Sequence, residues 1–471
     1  MTHRLKISLL CSLFLAVAVI LRLLASFSEF WLDEIWSWNL AQEIKSFTEI
    51  LSALHHDNNH PINTAWLMLV GTNAPVWLYR LPCLLLGIFA VLIAGVRGAG
   101  QSLAQTGFVW LTLAVSFVAV EYATEARGYG YLVFATIASW KLFEQKTIFG
   151  SEIAAAVLFW FMNLLGFLAH GTFVFLWAGV MVSLVVGLFD SSRMLTKRLQ
   201  RVLLWGLVPG VTFLTMLLLF YQHLERGGGD PANALGVVVQ SLSLVAGDPL
   251  PGLTSLVLAG CVLIGFGFAV FFQLKQSFSM GLGNLTAIVF APALMLLVLK
   301  PDPLYPRYFL IPILLSQLIL AEYCSQFWSV KDWKRPVVLI LFVGLCAGNL
   351  LGDLNLIRIG RGGYSRALQM MSNQSRQPLI LIGSDHDFRN RLLLDFHHRR
   401  TAGIKPADYV LEGRWPPQGP EWVILHEVAT DFVPPASLRD AAGNFYELRT
   451  VEQYYGLSGM HWAIYHNRGY P

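Results

Sequence analysis

Apolar runs recur through the first three quarters of the chain and are separated by short polar segments. Each run has about 20 residues, the length that a helix needs to cross a hydrocarbon core of about 30 Å. We predict eleven membrane-spanning helices, at residues 7–28, 77–97, 103–121, 128–143, 152–169, 172–189, 202–221, 253–274, 281–299, 307–325 and 336–351. The apolar segment 61–71 is too short to span, so we predict a re-entrant or interfacial segment there.

The pattern changes after residue 351, where charged residues become frequent and the apolar runs shorten. Three short runs are typical of strands, "PLILIG" at 378–383, "EWVILHE" at 421–427 and "MHWAIYHN" at 460–467. A helical stretch near 385–397 follows the first of them. We therefore predict a transmembrane domain at 1–351 and a small α/β domain at 352–471.

The distribution of Lys and Arg between the predicted helices indicates an orientation. With the N-terminus in the cytoplasm, the inner connections carry about twice as many Lys and Arg residues as the outer ones, as the positive-inside rule requires. This orientation places the C-terminal domain outside the cytoplasm. The outer connections are then residues 29–76, 122–127, around 170, 222–252 and 300–306.

Composition supports a membrane protein and narrows the possible partners. The chain is 55% hydrophobic and 13% charged, whereas soluble proteins are about 25% charged. No Lys/Arg-rich run with interleaved aromatic residues indicates a nucleic-acid partner. The five cysteines lie in apolar runs without the spacing of metal ligands, which favours small core residues. The C-terminal domain has no cysteine, so no disulfide is predicted there.

Ionisable residues are concentrated where the apolar helices meet the outer connections. Such groups are costly at membrane depth and commonly mark functional sites. The candidates are Asp33 and Glu34 in "EFWLDEIWSW", His60 before Pro61, Glu121, Glu125, Arg127 and Tyr129 in "EYATEARGYGY", His170 in "LAHGT", and Arg307 and Tyr308 in "YPRYFLIP".

Each candidate also has a purely structural interpretation. Asp33 and Glu34 could begin a helix, because carboxylates are favourable near a helix N-terminus. The neighbouring tryptophans, Trp31, Trp36 and Trp38, are interpreted as holding this pair at the membrane interface. The other structural interpretations are a turn at His60-Pro61, an ion pair of Arg127 with Glu125 or Glu121, a satisfied core histidine at His170, an interfacial anchor at Arg307, and an Arg22 side chain that extends from the first helix to the interface.

The order of these residues along the chain resembles that of the GT-C superfold of membrane glycosyltransferases. Within it, the chain is similar to the family of protein mannosyltransferases and lipid A aminoarabinose transferases that use polyprenyl-phosphate sugars. The resemblance covers roughly residues 1–350. Two features depart from it, Ile62 where many members have a second proline and a short segment between His60 and Arg80. The implied fold is an all-α polytopic membrane protein of the GT-C type with a small α/β C-terminal domain.

The resemblance implies an inverting transfer of a sugar from a polyprenyl phosphate to an acceptor at the outer face. One carboxylate must accept the proton of the acceptor, and hydrogen-bond donors must stabilise the leaving phosphate. Asp33 is the implied proton acceptor, Glu34 supports it, and Glu125 is a second carboxylate. The implied phosphate ligands are His60, Arg127, Tyr129, Arg307 and Tyr308, and weaker substrate contacts are His170 and Glu121.

No cofactor is implied, and we expect basic side chains rather than a metal to bind the phosphate. A divalent ion held by the Asp-Glu pair and a nearby His stays open as the alternative. The implied partners are the polyprenyl-phosphate sugar, a lipid, glycan or protein acceptor and the membrane lipids, without nucleic acid. We expect the bacterial inner membrane as the location.

Other functions fit the same pattern. A GT-C ligase or polymerase would use a diphosphate-linked donor. A transporter of a lipid-linked substrate would also carry polar residues in the membrane, but transporters tend to have internal repeats and midplane sites, and the sequence has no repeat. An anchoring protein whose tail is the working part would leave the acidic outer segments unexplained.

Overall fold

The computed structural model describes residues 3–96, 102–145, 150–189, 194–225, 227–229, 233–328, 334–429 and 432–470. Charged residues outside these ranges include Arg97, at the end of a predicted helix, and Lys146, Arg193, Arg226, Asp230 and Lys331, which belong to predicted connections. The chain forms two compact units. The first contains Met1–Ser26 and Leu40–Asp353, and the second contains Phe27–Asn39 and Leu354–Pro471.

The first unit is helical. Its helices are α1 (His3–Ala25), α2 (Leu32–Glu43), α3 (Glu49–Ser52), α4 (Pro61–Val70), α5 (Val76–Ala94), α6 (Leu103–Ala114), α7 (Phe117–Ala123), α8 (Tyr129–Glu144), α9 (Glu152–Ala169), α10 (Val174–Val186), α11 (Leu195–Leu219), α12 (Ala234–Val245), α13 (Leu253–Gln276), α14 (Phe278–Leu285), α15 (Ala291–Leu294), α16 (Leu310–Trp328) and α17 (Lys334–Ile359). Two of them, α2 and α17, also contribute residues to the second unit. Two π-helical segments, Thr286–Phe290 and Met295–Leu299, extend α14 and α15.

The apolar helices support an integral membrane protein, but the predicted count of eleven spans is not confirmed. Within the described residues, eight helices are long and apolar enough to cross a membrane, or nine if the bent pair α6–α7 is one span. Helix α8 has 16 residues, fewer than the roughly 17–25 of a typical span. In α1, the apolar stretch is Ser12–Ala25, which is shorter than the eight candidate spans.

A buried polar network holds the break between α6 and α7, which are bent by 53°. The Ser116 hydroxyl donates to Gln317 Oε1 at 2.7 Å, and the Phe117 N–H donates to Asn349 Oδ1 at 2.9 Å. The amides of Gln317 and Asn349 both donate to the Val245 carbonyl at 3.0 Å. Because the bilayer core contains no water, backbone groups freed by a broken helix need such protein partners.

Arg22 is fully buried in the first unit. Its guanidinium donates to the carbonyls of Leu113 and Ala114 at 3.2 and 3.1 Å, which are the last residues of α6. These carbonyls have no partner within their own helix. Asp353, buried on α17, interacts electrostatically with Arg22. The prediction that Arg22 extends to the interface is therefore wrong, because the end of α6 offers acceptors beside α1.

The second unit contains a six-stranded sheet of order β2-β1-β3-β6-β5-β4. Strand β1 is parallel to β2 and β3, and the other pairs are antiparallel. Its remaining elements are α18 (Tyr364–Gln374), β1 (Ile380–Ser384), α19 (Asp387–Arg400), β2 (Ala407–Tyr409), β3 (Trp422–Glu427), β4 (Ser437–Arg439), β5 (Phe445–Glu452) and β6 (His461–Asn467).

The sheet confirms the small α/β fold and the three predicted strands, which correspond to β1, β3 and β6. The predicted helix near 385–397 is α19. Strand β5, Phe445–Glu452, escapes prediction because charged residues such as Glu447 and Arg449 interrupt its apolar pattern. Such alternation is expected where one face of a strand is exposed.

The tryptophans that follow the first helix contact helix α19. The ring of Trp36 packs against Phe388 with a centroid distance of 4.9 Å, and the ring of Trp38 packs against Phe396 at 5.4 Å. Both contacts lie inside the second unit, which includes residues 27–39. Contacts within the protein therefore hold these two rings, where the sequence analysis expected the membrane interface to do so.

We predict that Arg22→Leu destabilises the first unit by on the order of 3–5 kcal/mol, because the change leaves Asp353 as a buried charge without its counter-ion. The double variant Arg22→Leu/Asp353→Leu should recover part of this loss. The apparent melting temperature of the purified protein in detergent measures both effects. A double variant no more stable than the single one would contradict the electrostatic explanation.

Candidate functional site

The acidic pair Asp33–Glu34 begins helix α2 in the second unit. The buried Glu34 accepts a hydrogen bond from the Trp31 N–H at 3.3 Å. Trp31 directly precedes the helix, so this bond gives a partner to a backbone N–H that has no acceptor within the helix. Asp33 is half-buried in the first turn. The geometry agrees with the capping interpretation for Glu34, and a catalytic role for either residue stays a prediction.

Hydrogen bonds of His60 and of the preceding residue fix the position of the His60 side chain. It directly precedes α4, and its Nδ1 lies 2.9 Å from the carbonyl oxygen of Ala169. The preceding Asn59 donates to two carbonyls and accepts a hydrogen bond from Thr64 at 2.7 Å. The start of α4 is therefore anchored by buried hydrogen bonds, and the imidazole of His60 has a defined orientation.

Four predicted residues from different parts of the chain form one group of rings in the first unit. Ring centroids are 5.0 Å apart for His60 and Tyr129, 5.5 Å for His60 and His170, and 5.3 Å for Tyr129 and His170. Tyr308 lies 6.0 Å from His170. Each residue stands at or next to a helix terminus, so helix ends converge at this point.

Arg127 lies beside this group in the turn between α7 and α8. Its guanidinium carbon is 5.0 Å from the centroid of the Tyr129 ring, and it donates a hydrogen bond to Asn58 Oδ1. Asn63 on α4 donates to the carbonyl of Ala126 at 2.7 Å and thereby holds the turn. The turn and the guanidinium are both anchored by the segment around His60.

Arg307 completes the group from the 3₁₀ turn Pro306–Phe309 before α16. Its guanidinium carbon lies 4.0 Å from the Tyr305 ring centroid, a cation–π contact. Arg127 and Arg307 both act electrostatically on His60 and His170. We call the six residues His60, Arg127, Tyr129, His170, Arg307 and Tyr308 the His–Arg cluster.

The two predicted glutamates lie next to this cluster but differ in their surroundings. Glu121 and Glu125 are both buried and interact electrostatically with Tyr122, whose ring is 4.7 Å from Tyr129. Glu121 also interacts with Asp353, which faces Arg22. Glu121 on α7 therefore also interacts with one member of the buried pair Arg22 and Asp353. Glu125 lies in the turn between α7 and α8, two residues before Arg127.

Both imidazoles of the cluster are neutral near pH 7. Burial first, and then the charge of Arg127, lower the pKa of His60 well below its ordinary value. Burial followed by Arg127 and Arg307 lowers the pKa of His170 to about 3. The two guanidinium groups therefore supply the positive charge of the cluster, because arginine stays protonated even where histidine does not.

Polar residues that were not predicted from the sequence support the cluster. Asn58 accepts the hydrogen bond of Arg127, and Asp57 accepts one from the Gly227 N–H at 3.0 Å. Residues 55–57 also pair through backbone hydrogen bonds with Glu225. The polar run "HHDNNHP" at 55–61 was the available signal, since so many polar side chains in succession are unusual beside apolar helices.

The described ranges of the chain contain no set of side chains that could bind a metal ion. No group of three or more His, Cys, Asp or Glu residues there could hold an ion.

No protein-family model matches the sequence, and no curated protein matches it. A solved structure is similar: the crystal structure of ArnT from Cupriavidus metallidurans in the apo state. The similarity covers 88% of this chain and 92% of that chain, with 13% sequence identity and a TM-score of 0.51. At this identity the similarity concerns the fold. The chain thus has a fold like that of ArnT, which supports the predicted GT-C fold class.

Proposed function

We propose that the chain is an integral-membrane inverting glycosyltransferase. It moves a sugar from a polyprenyl-phosphate donor to an acceptor on the outer face of the membrane. The acceptor is a lipid, a glycan or a protein. The order of the candidate residues along the sequence favours this reaction class, and the ArnT-like fold favours it over a transporter.

The observation that carries the proposal is the convergence of the His–Arg cluster. Two guanidinium groups act on the same pair of imidazoles, and two tyrosines pack against those imidazoles. Guanidinium groups bind phosphate oxygens through paired hydrogen bonds. Donors fixed before the reaction stabilise charge that develops on a leaving phosphate. The cluster is therefore the proposed site for the phosphate of the donor.

The proton acceptor belongs to a different part of the proposal. Only the sequence resemblance assigns Asp33 to this role. Asp33 lies in the second unit, whereas the His–Arg cluster lies in the first. Glu125 is the buried carboxylate beside the cluster and is proposed to contact the sugar or the acceptor. Glu34, which caps α2, is proposed to support Asp33.

The proposal predicts transfer of label from one member of a panel of radiolabelled polyprenyl-phosphate sugars, with purified protein and membranes of the source organism. Asp33→Asn and Arg307→Ala should each lower the rate by about 10²-fold or more, because each removes a group needed in the transition state. Arg391→Ala is the matched control, since this arginine is exposed and forms a loose pair with Asp395. It should retain full activity.

Other outcomes of this experiment point to other functions. Transfer of a preassembled glycan from a diphosphate-linked donor, without transfer from any monophosphate donor, would indicate a ligase or polymerase. Movement of the lipid-linked substrate across the membrane without transfer would indicate a transporter. Full activity of correctly folded Asp33→Asn would exclude Asp33 as the proton acceptor.

Gly128 offers a test of the cluster geometry. A Cβ at this position would lie 2.4 Å from the Ala169 carbonyl oxygen and 2.7 Å from His60 Nδ1. Gly128→Ala should therefore displace His60 and reduce transfer by about 10- to 100-fold. In the control Gly260→Ala, the added Cβ meets nothing within 4 Å, so activity should be unchanged. The apparent melting temperatures of both variants are measured to confirm folding. A transfer rate of Gly128→Ala equal to that of the wild type would show that the His60–Ala169 contact is dispensable.

A further inference from the structure

The two histidines of the His–Arg cluster have opposite tautomers. His60 Nδ1 faces the carbonyl oxygen of Ala169 at 2.9 Å. A carbonyl only accepts hydrogen bonds, so Nδ1 carries the proton. The neutral ring then has a lone pair on Nε2. This atom is buried and has no hydrogen-bond partner among the described residues.

His170 is arranged the other way around. Its Nδ1 accepts the backbone N–H of Thr172 at 3.1 Å and lies 2.8 Å from the Thr172 hydroxyl. A backbone N–H only donates, so Nδ1 carries the lone pair and the neutral ring has its proton on Nε2. His170 therefore offers a hydrogen-bond donor without being charged, whereas His60 offers only an acceptor.

A phosphate oxygen and an unprotonated imidazole nitrogen are both acceptors, and they repel each other unless a proton lies between them. Burial and two guanidinium groups keep the His60 ring neutral. An anion bound by the same guanidinium groups would offset their charge and make a protonated ring favourable. The charged and titratable groups that act on the His60 ring are Arg127, His170 and Arg307, and Tyr129 packs against it. The other titratable residues on the neighbouring segments are His55, His56, Asp57, Glu121, Tyr122, Glu125, Tyr305 and Tyr308.

We infer that His60 takes up one proton when the phosphate of the donor binds, and that the resulting Nε2–H donates to a phosphate oxygen. This inference rests on the proposed function, because it assumes that the His–Arg cluster binds the phosphate. Binding of the donor is then linked to pH through a single residue. His170, whose Nε2–H is already present, contributes a neutral hydrogen bond and no proton uptake.

The bound proton also has a consequence for the transfer step. The bond from the anomeric carbon to the phosphate oxygen breaks, and its electron pair stays on that oxygen. A bond forms from the anomeric carbon to the acceptor oxygen, whose proton passes to the carboxylate base. The negative charge of the phosphate rises during this step, so a hydrogen bond from protonated His60 strengthens towards the transition state.

The experiment measures binding of farnesyl methyl phosphate to the full chain by calorimetry in detergent. This diester has no second phosphate ionisation near neutral pH, so any proton taken up enters the protein. Titrations in buffers with different ionisation enthalpies should give uptake of about one proton per bound diester near pH 7. The affinity should fall about tenfold for each unit of increase in pH while His60 is neutral in the free protein and protonated in the complex.

Two variants identify the residue that takes up the proton. His60→Gln should bind without proton uptake, and its affinity should not change with pH, because the glutamine amide already carries its donor. His170→Gln is the matched control in the same cluster. It should bind more weakly but retain both the uptake of one proton and the tenfold pH dependence of the wild type.

Three results would contradict the inference. Binding to the wild-type protein without proton uptake would overturn it and leave the proposed function intact. Proton uptake that persists in His60→Gln would assign the proton to another group. No binding of the diester to the wild type would overturn both the inference and the polyprenyl-phosphate function on which it rests.

Discussion

The helical unit depends on the need to give every buried polar group a partner inside the protein. Lipid does not hydrogen-bond, so a helix that ends or bends at membrane depth leaves backbone groups that only other residues can satisfy. Arg22 satisfies the end of α6. At the break before α7, Asn349 accepts the Phe117 N–H and Gln317 accepts the Ser116 hydroxyl. Both contacts hold the helix that leads into Glu121, Glu125 and the turn before Tyr129.

The same constraint shapes the His–Arg cluster. The partner of each Nδ1 determines the tautomer of its ring, so two neighbouring imidazoles become one acceptor and one donor. Neutral histidines leave the permanent positive charge to Arg127 and Arg307, both of which pack against tyrosine rings. A site built in this way combines two fixed cations with one group whose charge can follow that of the ligand.

The predicted acids belong to different compact units of the chain. Glu125 belongs to the helical unit with the His–Arg cluster, whereas Asp33 and Glu34 belong to the unit that contains the sheet. The contact of Trp36 and Trp38 with helix α19 explains why a short segment after the first helix joins a domain more than 300 residues later in the chain. Sequence proximity to the first membrane helix did not indicate this.

The sequence by itself determined the helical membrane character, the main strands of the C-terminal sheet and all six residues of the His–Arg cluster. Apolar runs and ionisable residues at their ends are local patterns, and their causes, the hydrophobic effect and the cost of buried charge, act on each segment separately. Only the tertiary structure decided that Arg22 turns inward, that Asn58 holds Arg127, and which nitrogen of each histidine carries the proton. These properties depend on which carbonyl, amide or charge lies opposite a side chain, and such partners can be distant in the sequence, as are His60 and Ala169, which are 109 residues apart.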